Sequence, residues 1–248
     1  MVTIAAIGDI HLAEDLRGCF REPWSELADR ADLLLLAGDL TQHGSATEAQ
    51  VLVDDLDVVD VPVVAVLGNH DYHSGEQRAI TRMLREQGVS VLEGESIVID
   101  TAEGAVGVAG VKGFCLGFSG RCAADFGEPE MKAFTRHGKD AADSLRGALD
   151  ELTARELVAT VALTHFAPID ATLVGEPKEI WPFLGNYLLG EAIDSSGADL
   201  AIHGHAHAGF ERGETSGGVP VRNVAQPVLR TAYGLYAVGP GVDAEAGR

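Results

Sequence analysis

The chain has 248 residues, 46% of them hydrophobic, enough to bury a sizeable core in one large domain or two small ones. Its 18 Lys and Arg face 38 Asp and Glu, a formal charge of −20. Such a surface repels polyanions and argues against a nucleic-acid duplex as partner, whereas a small phosphorylated substrate held through metal ions is compatible with it.

From Val2 the sequence enters a strand-like apolar run with no basic segment ahead of it, and no apolar stretch reaches about 18 residues. Cys19, Cys115 and Cys122 are odd in number and lack Cys-x-x-Cys spacing, which fits reduced thiols rather than a disulfide framework or a zinc knuckle. The expectation is a cytoplasmic protein without membrane contact. Its oligomeric state is open, a homodimer included.

Three apolar runs, 2–7, 32–37 and 61–67, each end in Gly (Gly8, Gly38 and Gly68) followed by a metal-type residue. Asp9, Asp39 and Asn69 recur at 30-residue intervals, about the length of a βαβ unit, so three parallel strands should deliver them side by side. Between them, Ser45 to Glu48 reads as a capping box, with Ala49, Leu52, Val53 and Leu56 on one helical face and Asp54, Asp55 and Asp57 facing out. The acidic run 54–60 is taken as a solvated face. Ser74 to Gln77 repeats the box signal, with Ile80, Met83 and Leu84 as the apolar stripe and Gly88 as the stop.

Segments 90–100 and 105–111 alternate or run apolar with Gly-rich turns, as antiparallel hairpins do. A helix is predicted over 143–157, and further strands over 158–163, 199–202, 219–224 and 234–238. Two sheets with helices outside both is the economical arrangement. No linker divides 1–238, read as one domain, and the polar, Gly-rich tail 239–248 is expected to fray.

The motif blocks are Asp9-Ile10-His11, Gly38-Asp39, Gly68-Asn69-His70-Asp71, Thr164-His165 and Gly204-His205-Ala206-His207, each after a strand-like run. Side chains at the carboxyl ends of successive strands converge in an open α/β sheet. Asp, Asn and His without Cys form a ligand set for Mn²⁺, Fe or Zn²⁺ with open positions for water and substrate, unlike the thiolate set of structural zinc. A lone Asp-x-His or Gly-Asp is ordinary turn chemistry. Five blocks in order, each at a strand end, are not.

Segments 12–23, 112–129 and 167–185 follow strands and should surround the site mouth. They carry Arg17, Arg21, Lys112, Arg121 and Lys178, cations in an acidic protein. Arg17 and Arg21 are either candidate substrate contacts or partners of surface acids, His43 is a candidate substrate contact or a turn residue, and Lys178 is read as paired with a surface acid. His203 is read as a packed neighbour rather than a ligand, and His73 as surface.

The block series resembles that of the calcineurin-like metallophosphoesterases, from residue 9 to 207. The resemblance implies a four-layer α/β/β/α sandwich of two mixed sheets flanked by helices, with a binuclear centre at the strand ends. It implies that Asp9, His11, Asp39 and His207 hold one metal, and Asp39, Asn69, His165 and His205 the other. By the same resemblance His70 faces substrate as a catalytic group and Asp71 orients it. Two divalent ions (Mn, Fe or Zn) about 3.5 to 4 Å apart would activate a shared water and neutralise phosphoryl oxygens.

The second block departs from the Ser/Thr protein phosphatases, whose Gly-Asp-x-Val-Asp-Arg-Gly is here Gly38-Asp39-Leu40-Thr41-Gln42-His43-Gly44. His70 departs from the lipid A precursor hydrolases, which carry Arg there. The pattern is most similar to bacterial phosphodiesterases of small molecules such as cyclic nucleotides. A phosphodiesterase is therefore expected, with a phosphomonoesterase of the same fold or a non-catalytic scaffold as the alternatives.

Overall fold

The computed structural model describes residues 1–240. In chain order its strands are β1 (Val2–Ile7), β2 (Leu33–Ala37), β3 (Val63–Val66), β4 (Ser90–Val91), β5 (Glu95–Thr101), β6 (Gly104–Val111) and β7 (Gly117–Phe118). They continue with β8 (Arg121–Cys122), β9 (Ala159–Thr164), β10 (Leu200–His203), β11 (Arg212–Glu214), β12 (Pro220–Asn223) and β13 (Gly234–Val238). The helices are α1 (Arg21–Trp24), α2 (Ala46–Leu56), α3 (Gln77–Glu86), α4 (Pro129–Leu152), α5 (Trp181–Leu184), α6 (Tyr187–Ser196) and α7 (Gln226–Leu229).

One sheet runs β13-β1-β2-β3-β4 and the other β11-β12-β10-β9-β6-β5, with β7 and β8 forming a separate hairpin. Each sheet is mixed: β1, β2, β3 and β4 pair in parallel with β13 antiparallel at the edge, while β6, β9, β10 and β12 are parallel between antiparallel β5 and β11. The central strands are apolar on both faces because both faces are covered. Ala5, Ile7, Leu34 and Leu36 pack with Leu52 of α2 and Ile80 and Leu84 of α3. Their alternating neighbours Ile4, Ala6, Leu33 and Leu35 pack against Val106, Val108, Val161 and Ile202 of the second sheet. The far face of that sheet, Val111, Ala162 and Ala201, packs on Leu145 and Leu149 of α4 and Leu189 and Ile193 of α6. Four layers follow from this period-two alternation, helices outside and a dry inter-sheet core at the centre.

The first sheet and its crossovers match the sequence expectations closely, including the reciprocal capping box of Ser45 and Glu48 on α2. Asp55, expected to face out, is instead fully buried and accepts from the amides of Gly18 (2.8 Å) and Phe20 (3.2 Å). The loop after β1 brings unpaired amides onto α2, and a short carboxylate satisfies them. No second capping box forms: α3 starts at Gln77 with Glu76 as an uncapped N-cap, and the Ser74 hydroxyl donates to the His43 carbonyl. Segment 90–100 splits between sheets, β4 pairing with β3 and β5 with β6. The 143–157 helix starts earlier and stops sooner, as α4 opens on Pro129 in its first turn. Of the tail expected to fray, 241–248 lie outside the described residues. Among the described residues no helix is long and apolar enough to cross a membrane.

Candidate metal centre

Among the described non-glycine residues with positive φ are Asp9 (55°), His11 (41°), Asp39 (49°) and His205 (70°), with Arg230 the one remote from these motifs. A left-handed backbone costs a non-glycine residue on the order of 1–2 kcal/mol, so four such residues persist only where neighbours hold them. They do: the Asp9 amide donates to Gly38 O (2.9 Å), the His11 amide to Asp39 O (3.0 Å), and the His205 amide to both carboxylate oxygens of Asp9 (3.0 and 2.8 Å). These bonds turn each strand end sharply, so that its side chains point across the crevice.

The turns need close approach as well as strain. A Cβ at Gly204 would fall on the Asp9 carboxylate, and one at Gly68 on the Asp39 carboxylate and amide. Glycine at these two positions lets loops from different strands meet over the two acids.

The donor atoms of Asp9, His11, Asp39 and His207 all lie within 4.8 Å of one another, as do those of Asp39, His165 and His205. Asp39 belongs to both groups. Asn69 joins the second, its Oδ1 lying 2.9 Å from His165 Nε2. The structure thus brings together all seven residues expected as ligands.

Burial and charge suit cations. Asp9 and Asp39 are 2% and 1% exposed, and their ion-pair partners are imidazoles: His207 with Asp9, and His11, His70 and His165 with Asp39. Two buried carboxylates are costly without a counter-charge. His165 is more specific. Its Nδ1 lies 2.9 Å from the Ala37 carbonyl, to which it can only donate. In the neutral form the Nε2 lone pair then faces the Asp39 carboxylate, Oδ1 at 3.4 Å, acceptor against acceptor, with the Asn69 amide beside them. A cation between them resolves that arrangement, so the residues fit the metal pair that the motif series implies.

Protonation is consistent with ligation. Burial pushes His205 down to about 3, which leaves its nitrogen available at neutral pH. Burial works against the Asp9 carboxylate, yet the His207 hydrogen bond and nearby imidazoles hold it below the ordinary carboxylate range. That same bond raises His207.

His70 is half-exposed, with Nδ1 2.8 Å from the Gln42 carbonyl and Nε2 3.9 Å from Asp39 Oδ2. Its amide donates to Asp39 Oδ1 at 2.8 Å. Asp71, expected to orient this imidazole, does other work. Fully buried, it accepts from Leu40 N (3.2 Å), Thr41 N (2.9 Å), Thr41 Oγ1 (2.6 Å) and Gly68 N (2.7 Å). It staples the Asp39 loop to the Asn69 loop, and the positioning of His70 falls to the Gln42 backbone.

Arg17 and Arg21 are a second correction. Arg17 forms an ion pair with Asp54, and Arg21 donates to the Asp54 carbonyl and lies 3.9 Å from Asp57, all on or beside α2. Their charges serve the acidic face of that helix. His43 is held by Glu48, ring Nδ1 to Oε1 at 2.9 Å and amide to Oε2 at 2.8 Å, with its side chain exposed. His203 is buried between Gly204 O (2.7 Å) and Thr172 Oγ1 (2.9 Å). Lys112 is buried among the rings of Tyr72, Phe114 and Phe166, donating to Gly113 O at 2.8 Å. Lys178, expected beside an acid, instead lies 6.0 Å over the Trp181 ring.

Sequence reasoning missed Phe166 and Phe183. The Phe166 ring lies 4.4 Å from that of His205, and the Phe183 carbonyl 3.3 Å from His205 Nε2. Phe166 directly follows His165, which is a usable signal; Phe183 carries none.

The family profile described as calcineurin-like phosphoesterase matches residues 2–209. A stretch of 80 residues is 40% identical to a protein of Synechococcus sp. named probable cyclic nucleotide phosphodiesterase, covering 28% of this chain and 31% of that one. Among solved structures, the phosphopantetheinyl hydrolase of Mycobacterium tuberculosis aligns with a TM-score of 0.64 at 18% identity, over 90% of this chain and 88% of its own. A putative 5'-nucleotidase of Staphylococcus aureus aligns at 0.61 and 17% identity, over 96% of this chain and 52% of its own. With the motifs, the layers and the seven converging side chains in agreement, the chain belongs to the calcineurin-like phosphoesterase family.

Proposed function

We propose that this protein hydrolyses a small phosphodiester, with a cyclic nucleotide as the favoured substrate, in the cytoplasm and without a nucleic-acid or membrane partner. The observation that carries the reading is the sharing of Asp39 between two groups of donor atoms, each within 4.8 Å. The 80-residue stretch at 40% identity to a protein named probable cyclic nucleotide phosphodiesterase supports the substrate class. Every ligand position of the motif series is filled, which speaks against a non-catalytic scaffold.

Asp9, His11, Asp39 and His207 would hold one divalent ion, and Asp39, Asn69, His165 and His205 the other, with Mn²⁺ the first ion to test. Bound there, such ions supply Lewis-acid activation of water and neutralise phosphoryl charge. The chain's own part is positioning. Strained turns at Asp9, Asp39 and His205 fix the donors, and Asp71 locks the two loops that carry Asp39 and Asn69. His70 has Nδ1 committed to Gln42, so Nε2 is the atom that faces substrate. In its cationic form Nε2 donates to the leaving oxygen, and in its neutral form it accepts from an approaching hydroxyl.

The test is metal-stripped protein reloaded singly with Mn²⁺, Zn²⁺, Fe²⁺ or Ni²⁺. It would be presented with cyclic nucleotides, linear dinucleotides, glycerophosphodiesters and phosphomonoesters. Preferential turnover of diesters, cyclic nucleotides foremost, is expected. Faster monoester hydrolysis would overturn the diester preference, and no turnover with any ion would overturn the enzymatic reading.

A further inference from the structure

Beside the metal centre lies a groove of about 830 Å³, lined by Met131 and Phe134 of α4, Arg121 of the β7-β8 hairpin, and Lys178, Pro182 and Phe183. Protein contacts tie it to the centre on two sides. The backbone carbonyl of Phe183 lies 3.3 Å from His205 Nε2, while the residue as a whole is 57% exposed. On the other side a file of rings leads inward: Phe134 to Phe114 (5.1 Å), Phe114 to Phe166 (6.1 Å), and Phe166 to His205 (4.4 Å).

The groove also carries positive charge where the protein as a whole is strongly negative. Arg121 and Lys178 sit over the Trp181 ring, at 5.4 and 6.0 Å, and among the described residues neither forms an ion pair within 4.0 Å, although Glu179 shares the groove wall. Exposed apolar and aromatic walls beside the reacting centre are what a large planar substituent requires. Arg121 and Lys178 add donors, and the guanidinium a planar stacking surface, for the rim of a base. Glycerol or methyl substituents would leave Phe183 and Phe134 in water.

We propose that this groove binds the nucleoside part of a nucleoside phosphodiester, its base against Phe183 and Phe134 and within reach of Arg121 and Lys178. This rests on the phosphodiesterase reading and narrows it, making the groove the specificity element that separates nucleotide diesters from small aliphatic ones.

Trp181 is a built-in reporter, because the other tryptophan, Trp24, is fully buried in a different core. Adenosine 5'-monophosphate and glycerol 3-phosphate would be titrated into chelator-treated protein while Trp181 fluorescence is followed. The expected result is saturable quenching by the nucleotide only. Phe183→Ala and, separately, Arg121→Gln should each weaken it about tenfold, the scale of one lost stacking or charged partner. Phe183→Tyr should keep it, which guards against a folding artefact. Absence of nucleotide binding, equal binding of glycerol 3-phosphate, or unchanged affinity in both variants overturns the proposal.

A second arm uses Mn²⁺-loaded protein with two diesters of one leaving group, thymidine 5'-(p-nitrophenyl phosphate) and methyl p-nitrophenyl phosphate. Phe183→Ala should lower kcat/KM about tenfold for the first and leave the second within about twofold. Equal losses on both overturn the groove assignment. Nucleotide binding that depends on Phe183 in a protein turning over neither diester would uphold the groove and overturn the phosphodiesterase reading.

Discussion

His70 Nδ1 lies 2.8 Å from the carbonyl oxygen of Gln42, a bond that settles which imidazole nitrogen is free. The carbonyl cannot donate, so Nδ1 carries a proton and Nε2 is left toward Asp39 and the crevice. The positioning group is backbone, on the loop that carries Asp39, so the His70 imidazole and the carboxylate common to both donor groups are set by one piece of chain.

His70→Ala should therefore leave metal content unchanged while turnover falls by about 10² to 10⁴, the usual worth of a positioned acid-base group. Elemental analysis beside steady-state kinetics separates the two. Metal lost along with activity would make His70 a ligand.

Asp39→Ala should remove binuclear loading, since both donor groups include this carboxylate. In the wild type, added Mn²⁺ should raise the unfolding free energy by roughly 2.7 kcal/mol when free ion is about 100 times its Kd. Thermal unfolding with and without chelator reads this directly. A variant that still binds two ions per chain, or keeps the full stabilisation, would contradict the bridging assignment.

Asp71→Ala leaves the Leu40, Thr41 and Gly68 amides and the Thr41 hydroxyl without their buried acceptor. The expected loss is about 3 kcal/mol or more in urea unfolding of the metal-free protein, as several orphaned donors each cost about 1–3 kcal/mol. A loss of activity with unchanged stability would restore Asp71 to the role of orienting His70.

Neighbouring acids on α2 should behave oppositely. Asp55→Ala orphans the Gly18 and Phe20 amides and should destabilise by about 2 kcal/mol, whereas Asp54→Ala removes an exposed ion pair with Arg17 and should stay within about 0.5 kcal/mol. Chemical denaturation of the two variants side by side decides it, and similar values would mean that the buried contacts contribute nothing.

Much of the centre was legible because strand alternation and a 30-residue repeat are local signals. Asp9, Asp39 and Asn69 follow three apolar runs that can only be buried parallel strands, and residue type then names the chemistry. The errors share a cause. Asp55 and Asp71 look like solvent-facing or catalytic acids in the sequence, but a carboxylate's role is set by which amides reach it. Arg17, Arg21 and Lys178 were misread for the same reason, since surface charges find partners by three-dimensional proximity.

Periodicity and residue chemistry within a few positions were enough to name the seven converging side chains, the layered α/β class and the crossover pattern of the first sheet. Contacts between distant segments place Gln42 rather than Asp71 against His70, make Asp55 the anchor of the first loop, and set Phe183 and Phe134 in a groove beside His205. Each of these depends on groups far apart in the chain meeting at hydrogen-bond or van der Waals distance, and no local pattern encodes such a meeting.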